Sequence, residues 1–202
     1  MKNYYFTSDT HFGQERALTL SKRPFKSVEE MDETIIKNIN DKVSGVEDAV
    51  LFHLGDFGDY ERVRDINYEV ILLVGNYEEN EYKTNNDFEV WAENLLGKYS
   101  WDGKSGFSKI LLPGRSLDIE YTDEKNTICK NVTLVHKPTD FLRVQENEFQ
   151  KCLFGHIHGR QMVKKFGLDV GVDAHNFAPI SADDVGFYFN AIDKFYDDDV
   201  FC

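Results

Sequence analysis

The sequence predicts an α/β fold with its chemistry gathered at one end of a β-sheet. Three observations lead there. Short apolar runs alternate along the chain with helix-like stretches, the pattern of strands packed against helices. Most of those runs are apolar throughout, as expected of strands buried on both faces. The residues just after them are Asp, His and Asn, often beside Gly, and an open α/β sheet presents its ligand crevice at those strand ends.

Taken in order, Tyr4 to Thr7 reads as the first strand and Gln14 to Leu20 as a short helix. The strongest helix begins at Ser27. Ser27 and Glu30 have capping-box spacing, and Val28, Met31, Ile35 and Ile39 recur at helical period. Ala49 to Leu54 and Val70 to Val74 are strands flanking a short helix at Tyr60 to Ile66. A further helix is expected to start near Asn86, with Phe88, Trp91, Ala92 and Leu95 on its inner face. Phe107 to Leu112 and Leu117 to Tyr121, joined by Pro113-Gly114, read as a hairpin that feeds a strand at Val132 to Val135. Cys152 to Phe154 and Leu168 to Val172 complete the strands. After Ser181, Val185, Phe189 and Ile192 fall in helical register, against the helix-weakening Gly186. With no internal repeat or linker, residues 1–202 fit one domain.

Composition narrows the function classes. A net charge of −13 repels long polyanions, so a small substrate is favoured over long nucleic acid. No run of eighteen apolar residues spans a membrane, and no signal peptide is evident. Cys129, Cys152 and Cys202 are odd in number and far apart, which suits reduced thiols in the cytoplasm better than a disulfide framework.

The chemistry lies at the carboxyl ends of the strands. Asp9-Thr10-His11 comes after the first, Gly55-Asp56 after the second and Gly75-Asn76 after the third. His136 succeeds Val132 to Val135, and Gly155-His156-Ile157-His158 succeeds Cys152 to Phe154. Four of the six histidines lie at these ends, where random placement would scatter them. Imidazole suits zinc, iron and nickel, while carboxylate and amide oxygens suit manganese and magnesium. Seven ligands are too many for one tetrahedral ion and about right for two ions that share a bridging carboxylate. Such a pair can clamp the attacking and leaving oxygens of a phosphoryl displacement.

These five motifs, in this order, resemble the calcineurin-like metallophosphoesterase superfamily, whose pattern runs D-x-H, G-D, G-N-H-D/E, H and G-H-x-H. The likeness extends through Arg23-Pro24-Phe25 and Val28-Glu29-Glu30-Met31, as in a small single-domain branch found in bacteria and their viruses. It implies a four-layer αββα sandwich holding two divalent ions, manganese first and zinc, iron or nickel as alternatives. One ion would be held by Asp9, His11, Asp56 and His158, the other by Asp56, Asn76, His136 and His156, with Asp56 bridging. The implied activity is hydrolysis of a small phosphodiester or phosphomonoester, such as a nucleotide or cyclic nucleotide, by a metal-bound hydroxide.

One position departs from that pattern. Tyr77 stands where the family has a His taken to protonate the leaving oxygen. A phenol is a poorer acid at neutral pH, so activated aryl diesters are expected to turn over faster than alkyl ones. His175, after another strand, is a candidate substitute imidazole. Arg16 and Arg160 are candidate contacts for a substrate phosphate, with a surface or salt-bridge role as the alternative. His53 reads as a packed or supporting histidine rather than a ligand. Pocket specificity would rest on the loops Asn76 to Asn86, Lys98 to Phe107 and Lys137 to Phe149. The competing reading is a metal-binding scaffold, catalytically weakened at Tyr77, that recognises a protein partner. A nuclease would need a basic track that the sequence does not supply.

Overall fold

The structure is a computed structural model, and it describes residues 2–85, 87–123, 126–145, 147 and 149–197. The chain runs β1 (Asn3–Thr7), α1 (Glu15–Leu20), α2 (Val28–Val43), β2 (Ala49–His53), a 3-10 turn (Tyr60–Asp65) and β3 (Glu69–Leu73). It continues through α3 (Asn76–Asn85), α4 (Phe88–Tyr99), β4 (Gly106–Leu111), β5 (Arg115–Asp123) and β6 (Asn126–Leu134). Then come α5 (Pro138–Val144), β7 (Lys151–Phe154), β8 (Val163–Lys164), β9 (Gly167–Asp169), β10 (Ile180–Ser181) and α6 (Ala182–Phe195). The protein is thus mixed α/β, as the sequence predicts.

Among the described residues two five-stranded sheets form, in the orders β10-β1-β2-β3-β4 and β5-β6-β7-β9-β8. In the first, β1 to β4 are parallel and β10 pairs antiparallel on β1. In the second, β6, β7 and β9 are parallel while β5 and β8 run antiparallel at the edges.

Alternation along β1 to β3 explains the layering. Tyr5, Leu51, Val70 and Leu72 point to one side, where they meet Met31, Ile35 and Ile39 of α2 and Leu95 of α4. Phe6, Val50, Phe52, Ile71 and Leu73 point to the other, against Ile119, Val132, Leu134 and Leu153 of the second sheet. A smaller cluster packs Phe141 of α5 on Cys152 and Phe154, the opposite face of β7. Each fully buried Phe or Leu here contributes roughly 1.5–3 kcal/mol relative to exposure.

Helix starts follow their caps. The Ser27 hydroxyl accepts from the Glu30 amide, while the Glu30 carboxylate accepts from Lys26 rather than Ser27. Only half of the reciprocal capping box therefore forms there. The full box forms at α6, where Ser181 and Asp184 each accept from the other's amide. Gly186 weakens that helix locally, yet a Cβ on it would lie 2.1 Å from the Tyr121 ring. The missing side chain is what lets α6 lie down on β5.

Three expectations need correction. The Pro113-Gly114 turn does not close a hairpin: β4 belongs to the first sheet and β5 to the second, so the turn is a crossover between layers. The hairpin is instead β5–β6, paired from Arg115–Leu134 to Asp123–Asn126. The stretch from Asn76 is helix α3, not a specificity loop, and α5 occupies much of the segment after Lys137. Asn86 lies outside the described residues; α4 begins at Phe88 because the Asp87 carboxylate accepts from the Val90 amide as its cap. Among the described residues no helix is long and apolar enough to cross a membrane.

Candidate metal centre

Backbone hydrogen bonds tie the end of β1 to that of β2 and the end of β6 to that of β7, and the His136 side chain joins the two pairs at Leu54 O. Asp9 N–H donates to Gly55 O at 3.0 Å, His11 N–H to Asp56 O at 3.1 Å, and Gly155 N–H to His136 O at 3.0 Å. Close approach is possible because glycines stand at the crossings. A Cβ on Gly55 would lie 2.5 Å from the Gly75 Cα, and one on Gly155 would lie 2.0 Å from Ser8 Oγ.

The turns that result are sharp enough to hold five candidate ligands in the left-handed backbone region. Asp9 (φ 58°), His11 (52°), Asp56 (57°), His156 (73°) and His158 (51°) all lie there. Asp, Asn and His tolerate this region better than other non-glycine residues, at a cost of order 1–3 kcal/mol each.

Six of the seven residues singled out by their position at strand ends gather as two groups, Asp9, His11 and His158, and Asp56, His136 and His156. Ligand atoms within each group all lie within 4.8 Å of one another. The seventh, Asn76, places Oδ1 3.0 Å from His136 Nε2. The groups meet at Asp56. Its Oδ2 is 3.8 Å from His11 Nε2 and 3.4 Å from His136 Nε2, so one oxygen faces an imidazole of each group. Its Oδ1 accepts from the Tyr77 amide at 3.0 Å.

Three imidazoles are aimed by a partner on Nδ1, which leaves Nε2 facing the centre. His11 Nδ1 pairs with Gln14 Oε1 at 2.9 Å, His136 Nδ1 with Leu54 O at 2.8 Å and His158 Nδ1 with Asp173 Oδ2 at 2.7 Å. Asp9 Oδ2 accepts from Ser8 Oγ and the His156 amide. Asp9 Oδ1 and His11 Nε2, by contrast, are buried and have no hydrogen-bond partner among the described residues. Such orphaned atoms are costly unless something positive satisfies them. A mixed nitrogen and oxygen donor set with orphaned atoms converging on one point fits divalent cations.

The protonation pattern follows from burial and proximity. Burial alone would lower His136, but the Asp56 carboxylate beside it and the charge of Asp9 push it up to about 9. Burial would raise Asp56, yet His136 and the Tyr77 amide hold it at about 2. Burial keeps His11 low against the opposing pull of Asp9 and Asp56. His53 is fully buried, with Nε2 2.9 Å from the Thr10 hydroxyl, and burial drives it down to about 3. It packs and supports, as expected.

Two supports were not foreseen. Arg23 is buried and donates to Asp9 O at 2.6 Å, Thr10 O at 2.8 Å and both oxygens of Asp173 at 2.8 Å. It thereby locks the first ligand turn to the partner of His158. Glu78 is also buried, and its carboxylate accepts from the amides of Gly75, Asp56 and Phe57 at 2.8–2.9 Å. The neighbouring motif carried a hint of Glu78; nothing local connects Arg23 to a residue 150 positions away.

A cleft of about 450 Å³ opens over the groups, lined by His11, Asp56, Asn76, His156 and His158 together with Arg16, Tyr77 and Arg160. The Tyr77 ring stands edge-on to His11, 5.0 Å between centroids. His175 is not brought there. Its Nε2 is 2.6 Å from Asp169 O and its ring lies against Tyr188, 5.9 Å away. The 3-10 turn at Val172–Ala174 carries it to the α6 side.

No protein-family model matches the chain. It is similar to an uncharacterised protein of Methanocaldococcus jannaschii, 33% identical over 86 residues, 39% of this chain and 48% of that protein. The chain thus matches about half the length of that curated relative. In fold it is similar to a crystal structure of a protein of unknown function from Aquifex aeolicus, with a TM-score of 0.59 and 19% identity over 97% of this chain and all of the other.

Proposed function

We propose that the chain is a calcineurin-like metallophosphoesterase acting on a small phosphate ester. The observation that carries the reading is Asp56 Oδ2, a single carboxylate oxygen facing imidazoles of both donor groups. The order helix, sheet, sheet, helix in the core supports the αββα sandwich that goes with it.

Asp9, His11, Asp56 and His158 would hold one cation, and Asp56, Asn76, His136 and His156 the other. When bound, two divalent ions would lower the pKa of water and offset negative charge on phosphoryl oxygens. The protein's own groups do the positioning. Gln14, the Leu54 carbonyl and Asp173 hold three imidazoles in the tautomer that offers Nε2. Arg16 and Arg160, both lining the cleft, would orient a phosphate. Tyr77 keeps Asp56 in place through its amide, and its phenol is the candidate donor to a departing oxygen. His175 has no part in this reading.

The test measures turnover of bis-aryl and mono-aryl phosphates with manganese or nickel, and with chelator. Metal-dependent hydrolysis is expected, falling about a hundredfold or more in Asp56→Asn. Metal uptake without turnover would favour the scaffold reading, and a fully active Asp56→Asn would refute the assignment.

A further inference from the structure

Beside the metal cleft lies a second concavity, of about 490 Å³, between the edge strand β8 and α6. Its character is opposite. Met162, Val163, Phe187, Ala191, Ile192 and Phe195 make it largely apolar. Phe187, Ala191 and Phe195 recur every four residues, so they form one stripe along the helix. Phe187 is 69% exposed and Phe195 79% exposed, a large apolar surface to leave in water.

The two concavities are joined by one segment. Arg160 lines both, and the turn that carries His156 and His158 into the cleft continues within four residues to Met162 on the groove wall. An occupant of the pair would meet cation-binding groups and a guanidinium at one end and apolar side chains at the other.

We propose that the groove binds the apolar arm of an organophosphate whose phosphate lies in the metal cleft, so that the substrate class is amphiphilic phosphate esters. This rests on the phosphoesterase reading above. The volume suits a small-molecule subsite, and the cationic end matches an anionic head better than it matches the apolar face of a second copy. Arg160 stands at the junction, where it pairs with the phosphate while the arm covers the α6 stripe.

The test is titration calorimetry of the full chain, with manganese, against methylphosphonate and octylphosphonate. Octylphosphonate should bind at least about tenfold tighter. Ala191→Arg, which puts a long side chain into the groove at a helical position, should bring the two affinities within about twofold, with manganese uptake as the control. Equal affinities in the parent protein overturn the proposal, as does a preference that survives Ala191→Arg. A dimer in sedimentation equilibrium that Phe195→Ser dissociates also overturns it, because a second copy then covers the groove. Failure of manganese uptake strikes at the metal centre instead. The groove is then judged by the amide resonances of Phe187, Ala191 and Phe195 on adding octylphosphonate; shifts support it and their absence overturns it.

Discussion

Replacing Asp173 with Asn tests whether the buried pair with Arg23 organises the centre. In the parent protein both Asp173 oxygens accept from Arg23 at 2.8 Å, and Oδ2 also pairs with His158 Nδ1 at 2.7 Å. The Arg23 side chain is fully buried and that of Asp173 is 7% exposed, so solvent screens the pair little. An Asn keeps one acceptor, turns an N–H₂ toward existing donors and leaves the guanidinium without a counter-charge. Breaking a buried pair from one side costs roughly 3–5 kcal/mol, and the retained acceptor argues for about 3. For a chain of this size that lowers Tm by roughly 6–12 °C. His158 also loses the anionic partner that aims it, so metal affinity should fall about 10–100-fold. Burial would raise the Asp173 pKa, but His158 and Arg23 hold it low. A depressed carboxylate stabilises the fold above its unfolded value and loses that contribution as pH falls through the folded one. The gap between parent and variant should therefore close below about pH 4. Thermal unfolding across pH and competition with a metal chelator measure both effects. A Tm within about 2 °C of the parent together with unchanged metal affinity would refute the reasoning; a lower Tm alone would reduce Asp173 to a structural role.

Three further outcomes are expected. Because His136 sits at about 9, and burial lowers His158 less than Asp173 and Asp9 raise it, a cation must displace protons at pH 7; uptake should release one proton or more, with affinity rising toward pH 9. Calorimetry in buffers of different ionisation enthalpy would detect this, and uptake without proton release would contradict it. Gly155→Ala places a Cβ 2.3 Å from Asp9 Oδ2, so it should cost about 1–3 kcal/mol and weaken metal binding, seen together by denaturant unfolding and chelator competition. Burial raises Asp32 to about 6, against the Gly13 amide and Arg62; its contribution is intact below the unfolded value and lost as pH rises through 6. Asp32→Asn should accordingly gain about 1–3 kcal/mol at pH 8 and nothing at pH 4 in urea unfolding.

The candidate ligands were legible because parallel strands buried on both faces can place polar groups only at their ends. Asp9, His11, Asp56 and the His156–His158 pair stand out from apolar runs for that reason. The Pro113-Gly114 turn misled because a local turn signal says nothing about which sheet the next strand joins. Helix α3 was hidden by its acidic, polar sequence, which carries no apolar stripe; Glu78 turns inward to three amides instead. Arg23 and Asp173 escaped because their contact joins distant turns. His175 misled because a histidine after a strand can face either side of the turn beyond it.

The left-handed backbone at Asp9, His11, Asp56, His156 and His158 sets two pressures against each other. Folding alone would be easier with glycine or asparagine at each of these places, since the contortion is least costly there. Holding a pair of cations needs the carboxylates and rings that are present. Any variant of this chain improved for heat resistance by relieving those five residues would give up, in the same step, the donor atoms that the proposed pair of cations needs.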